Sequence, residues 1–250
     1  MTHRLVLFLF AMAVFLFPSV CDAATHPDAS SLFGSRQALV VTSESWEATT
    51  GQLQLFERES LSSAWIPVGK SIPVSLGRTG MAWGIGLHTA PRSSAPEKRE
   101  GDGKAPAGIF SISSAFGYAD NDSIRAFPYL KIASGLECVD DPLSSSYNRI
   151  LDASTHPKDW NSSETMLRQD GLYAAGAVVE HNGDPVSAGK GSCIFLHIWR
   201  GPDKPTAGCT AMEEGALRRL LSRLDAGRKP LLVQLPRAEY QKLKKVWGVP

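Results

Sequence analysis

Short apolar runs separated by turn residues make up most of the chain from residue 38 onward, which predicts strands rather than long helices. Leu53 and Leu55 alternate with glutamines, and this alternation has the period of a half-buried strand. Residues 174–182 and 191–200 form apolar runs rich in β-branched and aromatic side chains, which are typical of buried strands. The pattern therefore predicts a single, mainly β domain over residues 38–236.

Helical periodicity is strong only towards the C-terminal end. Residues 213–227 place four leucines on one helical face, and Gly227 is a stop signal for that helix. Residues 237–250 predict a short basic helix. Residues 119–170 are polar and show few periodic stretches, so we expect an elaborated loop or subdomain there.

The N-terminus has the layout of a secretory signal peptide over residues 1–23. Arg4 precedes an apolar run over residues 5–17, and small residues follow up to a cleavage site after Ala23. The run is shorter than the ~20 residues that a membrane-spanning helix needs, which disfavours a retained anchor helix. A lipid anchor on Cys21 is a second alternative. The signal peptide predicts export to the periplasm or cell envelope.

The composition fits an exported globular protein. Of 250 residues, 43% are hydrophobic and 20% are charged, which suffices for a sizeable core. A net charge of +1 lacks the excess of Lys and Arg that binding to nucleic-acid phosphates requires, so no nucleic-acid partner is expected. We also expect no stable membrane insertion after cleavage. Residues 24–37 form a short polar segment ahead of the predicted domain, called the polar lead below.

The cysteine count gives the first candidate for chemistry. Cleavage leaves Cys138, Cys193 and Cys209, and an odd count in an oxidising compartment leaves at least one free thiol. A disulfide between Cys138 and Cys193 would leave Cys209 free, while two unpaired buried thiols are the open alternative. A zinc site made from two of these cysteines with His181 and His197 is not expected, because closely spaced ligand pairs are missing.

His197 and Cys209 have the surroundings of a base and a nucleophile. His197 lies near the end of a predicted strand, a turn follows, and Cys209 stands just ahead of a helix predicted to begin near Met212. The helix dipole would lower the pKa of the thiol, and the imidazole would take and return a proton. Gly208 permits close approach of the backbone, and the amides around Cys209 could face an oxyanion. The alternative is a buried structural Cys and a structural His.

Two motifs resemble those of one enzyme family. His197 followed by residues 206–209 (TAGC) is similar to the His…Ser/Thr-x-Gly-Cys pattern of the L,D-transpeptidase (YkuD-type) catalytic domain. Upstream, residues 101–110 (GDGKAPAGIF) are similar to the GDGKTPxGxF turn and strand of the same family. The resemblance covers about residues 38–236, and the segments HIWRGP and PTAGCTAM resemble a divergent branch.

The resemblance implies a β-sandwich domain that performs acyl transfer on peptidoglycan stem peptides. Cys209 would attack the stem carbonyl that precedes a D-amino acid, with His197 as base, and form a thioester. An amine would then resolve the thioester into a crosslink or an exchange product, whereas water would make the protein an L,D-carboxypeptidase or amidase. The family needs no cofactor or metal, and a backbone carbonyl often orients its histidine. A non-catalytic wall-binding module is disfavoured by the intact set of His197, Gly208 and Cys209.

Two departures from the family pattern bear on substrate binding. Ile198 follows the histidine where Gly is common, and Ala211 stands where Arg or Asn is frequent. The resemblance therefore leaves the acceptor open, and Arg200 is a candidate to replace the missing charge.

Three other residues are candidates for contacts with substrate. Thr206 belongs to the motif itself. His181 follows the strand before His197 and could contact substrate or stabilise the thiolate, with a structural role as the alternative. Trp199, together with Trp160, could line a cleft, with aromatic core as the alternative.

Overall fold

The computed structural model describes residues 34–89, 95–120, 124 and 126–250. The expected signal peptide over residues 1–23, with Cys21 and most of the polar lead, lies outside these ranges. Within them, no helix is both long enough and apolar enough to cross a membrane.

Strands dominate the described residues. In chain order they are β1 (Gln37–Ser43), β2 (Thr50–Glu57), β3 (Ile66–Ser75), β4 (Met81–Trp83), β5 (Ala105–Gly117), β6 (Tyr129–Lys131), β7 (Leu136–Val139), β8 (Ile150–Asp152), β9 (Ser163–Thr165), β10 (Ala175–Val179), β11 (Phe195–Ile198), β12 (Thr210–Met212) and β13 (Leu231–Pro236). The helices are α1 (Glu214–Leu221), a 3-10 helix over Ala226–Arg228, and α2 (Arg237–Trp247). The predicted mainly β fold, with one helix after Cys209 and a short C-terminal helix, is confirmed.

The main sheet closes on itself through its longest strand. Hydrogen-bonded neighbours run in the order β10-β11-β12-β3-β2-β1-β13-β5. The first part of β5, up to Ser111, pairs with β13, and the part from Ile112 onward pairs with β10. The two layers of the predicted sandwich are therefore joined into one continuous sheet. Fully buried apolar side chains such as Leu39, Leu53 and Phe110 fill its core.

Helix α1 packs on this sheet beside β10 and β11, but it is shorter than the sequence predicts. It buries Leu217 and Leu221, and Glu213 caps its N-terminus by accepting hydrogen bonds from two amides of the first turn. The helix ends at Leu221, whereas Gly227, the predicted stop, lies in the 3-10 helix. The Asp225 carboxylate accepts from the Gly227 amide, and this local hydrogen bond supports the separate short turn.

Residues 119–170 contain a second, three-stranded sheet in the order β8-β7-β9. A disulfide ties this small sheet to the strand that carries His197. It joins Cys138 in β7 to Cys193, which precedes β11, and their Cα atoms are 6.0 Å apart. The open alternative of two unpaired thiols is therefore excluded, and Cys209 is the free cysteine of the described residues.

Candidate active site

Strands β11 and β12 bring the predicted base and nucleophile into one cavity. The strands pair in parallel, with His197 opposite Ala211. Cys209 lies immediately before β12, and the backbone amide of Phe195 donates a hydrogen bond to Cys209 Sγ at 3.3 Å. His197 and Cys209 both line a cavity of about 280 Å³.

Thr206 holds the turn that carries Cys209. Its hydroxyl donates to the Cys209 carbonyl oxygen at 2.6 Å and accepts from the Gly208 amide at 3.1 Å. Its backbone amide donates to the carbonyl of Leu76, and its carbonyl accepts from the amide of Arg78. Thr206 therefore fixes the backbone of the nucleophile. Its hydroxyl also accepts from the Gly208 amide, one of the amides that the sequence predicted could face an oxyanion.

The upstream glycine turn at residues 101–110 packs against Gly208. A Cβ atom on Gly208 would lie 3.1 Å from the Lys104 carbonyl oxygen, so a side chain there would have to displace backbone. Asp102 organises this turn, because its carboxylate accepts from the Lys104 amide at 2.9 Å and from Nζ of buried Lys98 at 2.6 Å. The two sequence motifs therefore meet in the fold, and the upstream motif supports the turn of the downstream one.

His197 is a buried, neutral imidazole. Its Nδ1 lies 2.7 Å from the carbonyl oxygen of Ile198. Since a carbonyl can only accept, Nδ1 carries the ring proton, which leaves Nε2 as the basic nitrogen. Burial lowers the pKa of His197 to about 4. The ring of Tyr173 packs edge-on against the imidazole with centroids 5.3 Å apart, which restrains the plane of the base.

Cys209 is a buried thiol, and the prediction of a resting thiolate is wrong. Burial, followed by the nearby carboxylate of Glu164, raises the pKa of Cys209 to about 12. The helix dipole does not act as the sequence predicted, because β12 intervenes and α1 begins only at Glu214. The thiol instead donates to the Cys193 carbonyl, with Sγ 3.5 Å from the oxygen.

Iodoacetamide should therefore label Cys209 slowly at neutral pH. The thiolate is the reacting species, so the labelling rate should rise about tenfold per pH unit while the pH stays below the pKa. Intact-protein mass spectrometry between about pH 7 and pH 10 measures this rate, and the urea-unfolded protein is the control with an ordinary thiol. A rate that levels off below pH 9 would contradict the buried, un-ionised thiol.

Cationic side chains surround the cavity that holds Cys209. Arg78, Arg168, Arg200 and Lys204 all line it, and Ala211 forms part of its wall. A cavity with this lining favours carboxylate groups of a ligand. Three of the residues predicted to bind substrate, Trp199, Arg200 and Thr206, line the same cavity.

His181 and Trp160 do not line the cavity of Cys209, so the structure corrects the prediction that they contact substrate there. His181 lines a different cavity beside the disulfide, where its Nδ1 accepts from the Ile85 amide at 3.3 Å and its Nε2 donates to the Lys190 carbonyl at 3.0 Å. Because both ring nitrogens have partners and the side chain is buried, His181 has the structural role given as its alternative. Trp160 is buried, and its indole N–H donates to Glu137 at 2.9 Å.

The side chains considered for a zinc site do not form one. Cys193 is bonded to Cys138, so it supplies no thiolate ligand. Throughout the part of the chain that the structure describes, no group of three His, Cys, Asp or Glu side chains is arranged to hold a metal ion.

Glu164, Arg168 and Tyr173 are among the residues of this cavity that sequence reasoning missed. Arg168 and Glu164 come from the polar region in which the sequence shows no periodicity, and none of the three belongs to a recognisable motif. The disulfide could have drawn attention to them, since it fixes the small sheet beside the strand of His197.

Comparisons with known proteins cover the same region. Residues 49–233 match the family model of the L,D-transpeptidase catalytic domain, YkuD, a span that includes His197 and Cys209. No curated protein matches the chain. Among solved structures, the chain is similar to the helical cell shape determining protein Pgp2 from Campylobacter jejuni, with 12% identity and a TM-score of 0.40 over 81% of this chain and 48% of that one. The chain thus spans about half the length of that protein.

Proposed function

The chain belongs to the family of L,D-transpeptidase catalytic domains, YkuD, and on that premise we propose that it is a peptidoglycan L,D-transpeptidase with Cys209 as its nucleophile. The observation that carries the proposal is the cavity shared by His197 and Cys209. The neutral imidazole of His197 and the free thiol of Cys209 line one small space, and this supports a base and a nucleophile that act together.

In the first half-reaction, Cys209 Sγ attacks the stem carbonyl that precedes a D-amino acid. Neither the thiol nor the imidazole is charged at rest, so His197 Nε2 accepts the thiol proton as the S–C bond forms. The imidazolium then gives this proton to the nitrogen of the leaving D-amino acid, and the C–N bond breaks. The product is a thioester on Cys209.

In the second half-reaction, an amine attacks the thioester carbonyl. His197 Nε2 accepts one proton from the attacking nitrogen, and the sulfur leaves as the new amide bond forms. The proton on His197 then returns to Sγ, which restores the resting pair of neutral groups.

The charges of the cavity support a stem peptide as substrate. A D-amino acid at the end of a stem carries a free carboxylate, and the cavity wall offers the guanidinium groups of Arg78 and Arg200. A guanidinium can bind a carboxylate with two parallel hydrogen bonds.

Transfer of the same thioester to water is the second candidate, and it would make the protein an L,D-carboxypeptidase. The observation that favours it is the apolar wall at Ala211, where the family often has an Arg or Asn side chain. A non-catalytic wall-binding module has no such support, since the base and the thiol are both present.

We propose further that the protein works outside the cytoplasm, in the periplasm or cell envelope. Two observations support this location. The N-terminal residues have the layout of a secretory signal peptide, and the disulfide between Cys138 and Cys193 suits an oxidising compartment.

The mature chain, residues 24–250, incubated with purified muropeptides tests the function. Mass spectrometry that detects new crosslinks or exchange of the terminal D-amino acid supports transpeptidation, while shortened stems alone support the carboxypeptidase. A Cys209→Ala variant is the matched control. If wild-type protein and this variant give the same products, both enzymatic assignments fail.

Thr206→Val should slow acylation of Cys209 about tenfold. The variant keeps the shape of the side chain but leaves the Gly208 amide and the Cys209 carbonyl without their hydroxyl partner. An unmade buried hydrogen bond costs about 1–3 kcal/mol, and here the cost falls on the backbone of the nucleophile. Thr206→Ser retains the hydroxyl and should keep most of the rate. Equal rates for the valine and serine variants, measured by single-turnover acylation, would contradict this role.

A further inference from the structure

Glu164 is the acidic side chain among the residues that line the cavity of Cys209, where four other lining side chains are cationic. It lies in β9 of the small sheet, and its Oε2 accepts a hydrogen bond from the Tyr173 hydroxyl. Within the described residues, Oε1 has no hydrogen-bond partner and the carboxylate has no ion-pair partner. The side chain therefore has one oxygen held by the protein and one oxygen left for a ligand.

The cation near Glu164 is already engaged. The guanidinium of Arg168 donates two hydrogen bonds to Asp170, at 2.8 and 2.6 Å, and lies over the ring of Tyr173 with its carbon 5.0 Å from the centroid. This arrangement directs Arg168 towards Asp170, so the Arg168 charge acts on Glu164 without forming an ion pair with it. Burial raises the pKa of Glu164, which expresses the cost of holding an unpaired carboxylate there.

The position of Glu164 works against the nucleophile. Its negative charge opposes ionisation of Cys209, while the charges of Lys98 and Arg168 act on the thiol in the opposite sense. Among the other titratable groups, His197 is neutral and burial keeps Tyr173 protonated. The negative charges of Asp140 and Glu100 add to the effect of burial in raising the pKa of Glu164. A positive group bound to the Glu164 carboxylate would cancel its negative charge. Cys209 would then lose its proton more easily.

We propose that Glu164 binds a primary ammonium group of the substrate. The proposal rests on the proposed function. Two amines are available in that reaction: the side-chain amine of a diamino acid that precedes the D-amino acid in the donor stem, and the amine of the acceptor, whose ammonium form gives one proton to the Glu164 carboxylate before its nitrogen attacks. An ammonium group on Oε1 neutralises the carboxylate and removes its repulsion from the sulfur. Binding of the correct substrate would therefore favour transfer of the thiol proton to His197.

The link between ammonium binding at Glu164 and ionisation of Cys209 also explains why the nucleophile is kept un-ionised at rest. Thiolates react with oxidants and alkylating agents far faster than thiols do. In an oxidising compartment, a Cys209 that ionises only with substrate in the cavity is protected between turnovers.

Equilibrium binding tests the proposal without requiring turnover. In a Cys209→Ala background, calorimetry should show that Glu164→Gln weakens binding of a stem tetrapeptide with a free side-chain amine about tenfold or more. Binding of the same peptide with that amine acetylated should not change. Gln retains an oxygen that accepts from Tyr173, and Glu180→Gln, which alters a half-buried carboxylate outside this cavity, is the matched control.

The pH dependence of Cys209 alkylation separates an electrostatic role of Glu164 from a purely structural one, because only the electrostatic role would shift it. Without substrate, Glu164→Gln should shift the iodoacetamide profile of Cys209 to lower pH and raise the rate at pH 8 severalfold, because a like charge has been removed. Glu180→Gln should leave the profile unchanged. A Glu164→Gln profile that overlays the wild-type profile would overturn the proposal.

Single-turnover kinetics identify the source of the ammonium group. If the donor supplies it, Glu164→Gln slows acylation by the free-amine peptide but not by the acetylated one. If the acceptor supplies it, Glu164→Gln does not slow acylation, and transfer to an amine slows while transfer to water does not. The proposal is overturned, and the proposed function left standing, if Glu164→Gln protein still acylates Cys209 and neither peptide binding, acylation nor transfer to an amine depends on Glu164. Failure of any stem peptide to acylate wild-type protein counts instead against the proposed function.

Discussion

Replacement of His197 by glutamine should slow acylation of Cys209 by about a thousandfold. Burial keeps the thiol protonated far above neutral pH, so the reaction needs a base at the moment of attack. General-base catalysis of this kind contributes about 10²–10⁴ in rate. Glutamine fits the space of the imidazole closely but has no nitrogen that takes up a proton. Single-turnover acylation with a stem tetrapeptide, followed by intact-protein mass spectrometry, measures the loss.

The matched control is His181→Gln, which changes a second buried histidine in a different cavity. Its ring nitrogens hold the Ile85 amide and the Lys190 carbonyl, so this variant should lose stability while the folded fraction still acylates. A comparable loss of rate in both variants would mean that the effect of His197→Gln is structural.

Removal of the disulfide by the double change Cys138→Ala/Cys193→Ala should lower the free energy of unfolding by about 2–4 kcal/mol. The bond closes a loop with a sequence separation of 55 residues, and opening a loop of this length gives the unfolded chain much more conformational freedom. The midpoint and slope of urea denaturation measure the change. A midpoint equal to that of the wild-type protein would contradict a stabilising role.

The same double variant should also disturb the site, because the carbonyl of Cys193 accepts the hydrogen bond of the Cys209 thiol. Cys209→Ala, which removes a thiol but keeps the disulfide, is the control for loss of a sulfur side chain. It should retain most of the stability that the double variant loses.

The sequence was sufficient for the class of fold, and it named two residues, His197 and Cys209, that the structure brings into one cavity. Alternation in β2 and the apolar runs of β10 and β11 predict strands because each has one clear period or a buried composition. His197 and Cys209 could be paired because one motif carries both, and the upstream glycine motif meets it at Gly208 in the structure.

The sequence was not sufficient for the protonation state of Cys209. That state depends on burial and on the carboxylate of Glu164, which comes from a distant and irregular part of the chain. The predicted helix dipole failed because three residues that follow Cys209 form a strand that pairs with β11, a tertiary interaction that no local pattern records. His181 was misplaced for a similar reason: its position along the chain, near a strand end, did not show that the side chain turns away from the cavity.

The most direct test of the central claim is the mass of the intact protein during reaction with a stem tetrapeptide. If His197 and Cys209 form the catalytic pair, a species should appear whose added mass equals the tripeptide acyl group. Proteolytic mapping should place that group on Cys209, neutral hydroxylamine should release it as a thioester, and Cys209→Ala protein should not form it. Release of the D-amino acid by wild-type protein without such an adduct, or with undiminished turnover in the Cys209→Ala variant, would contradict the account.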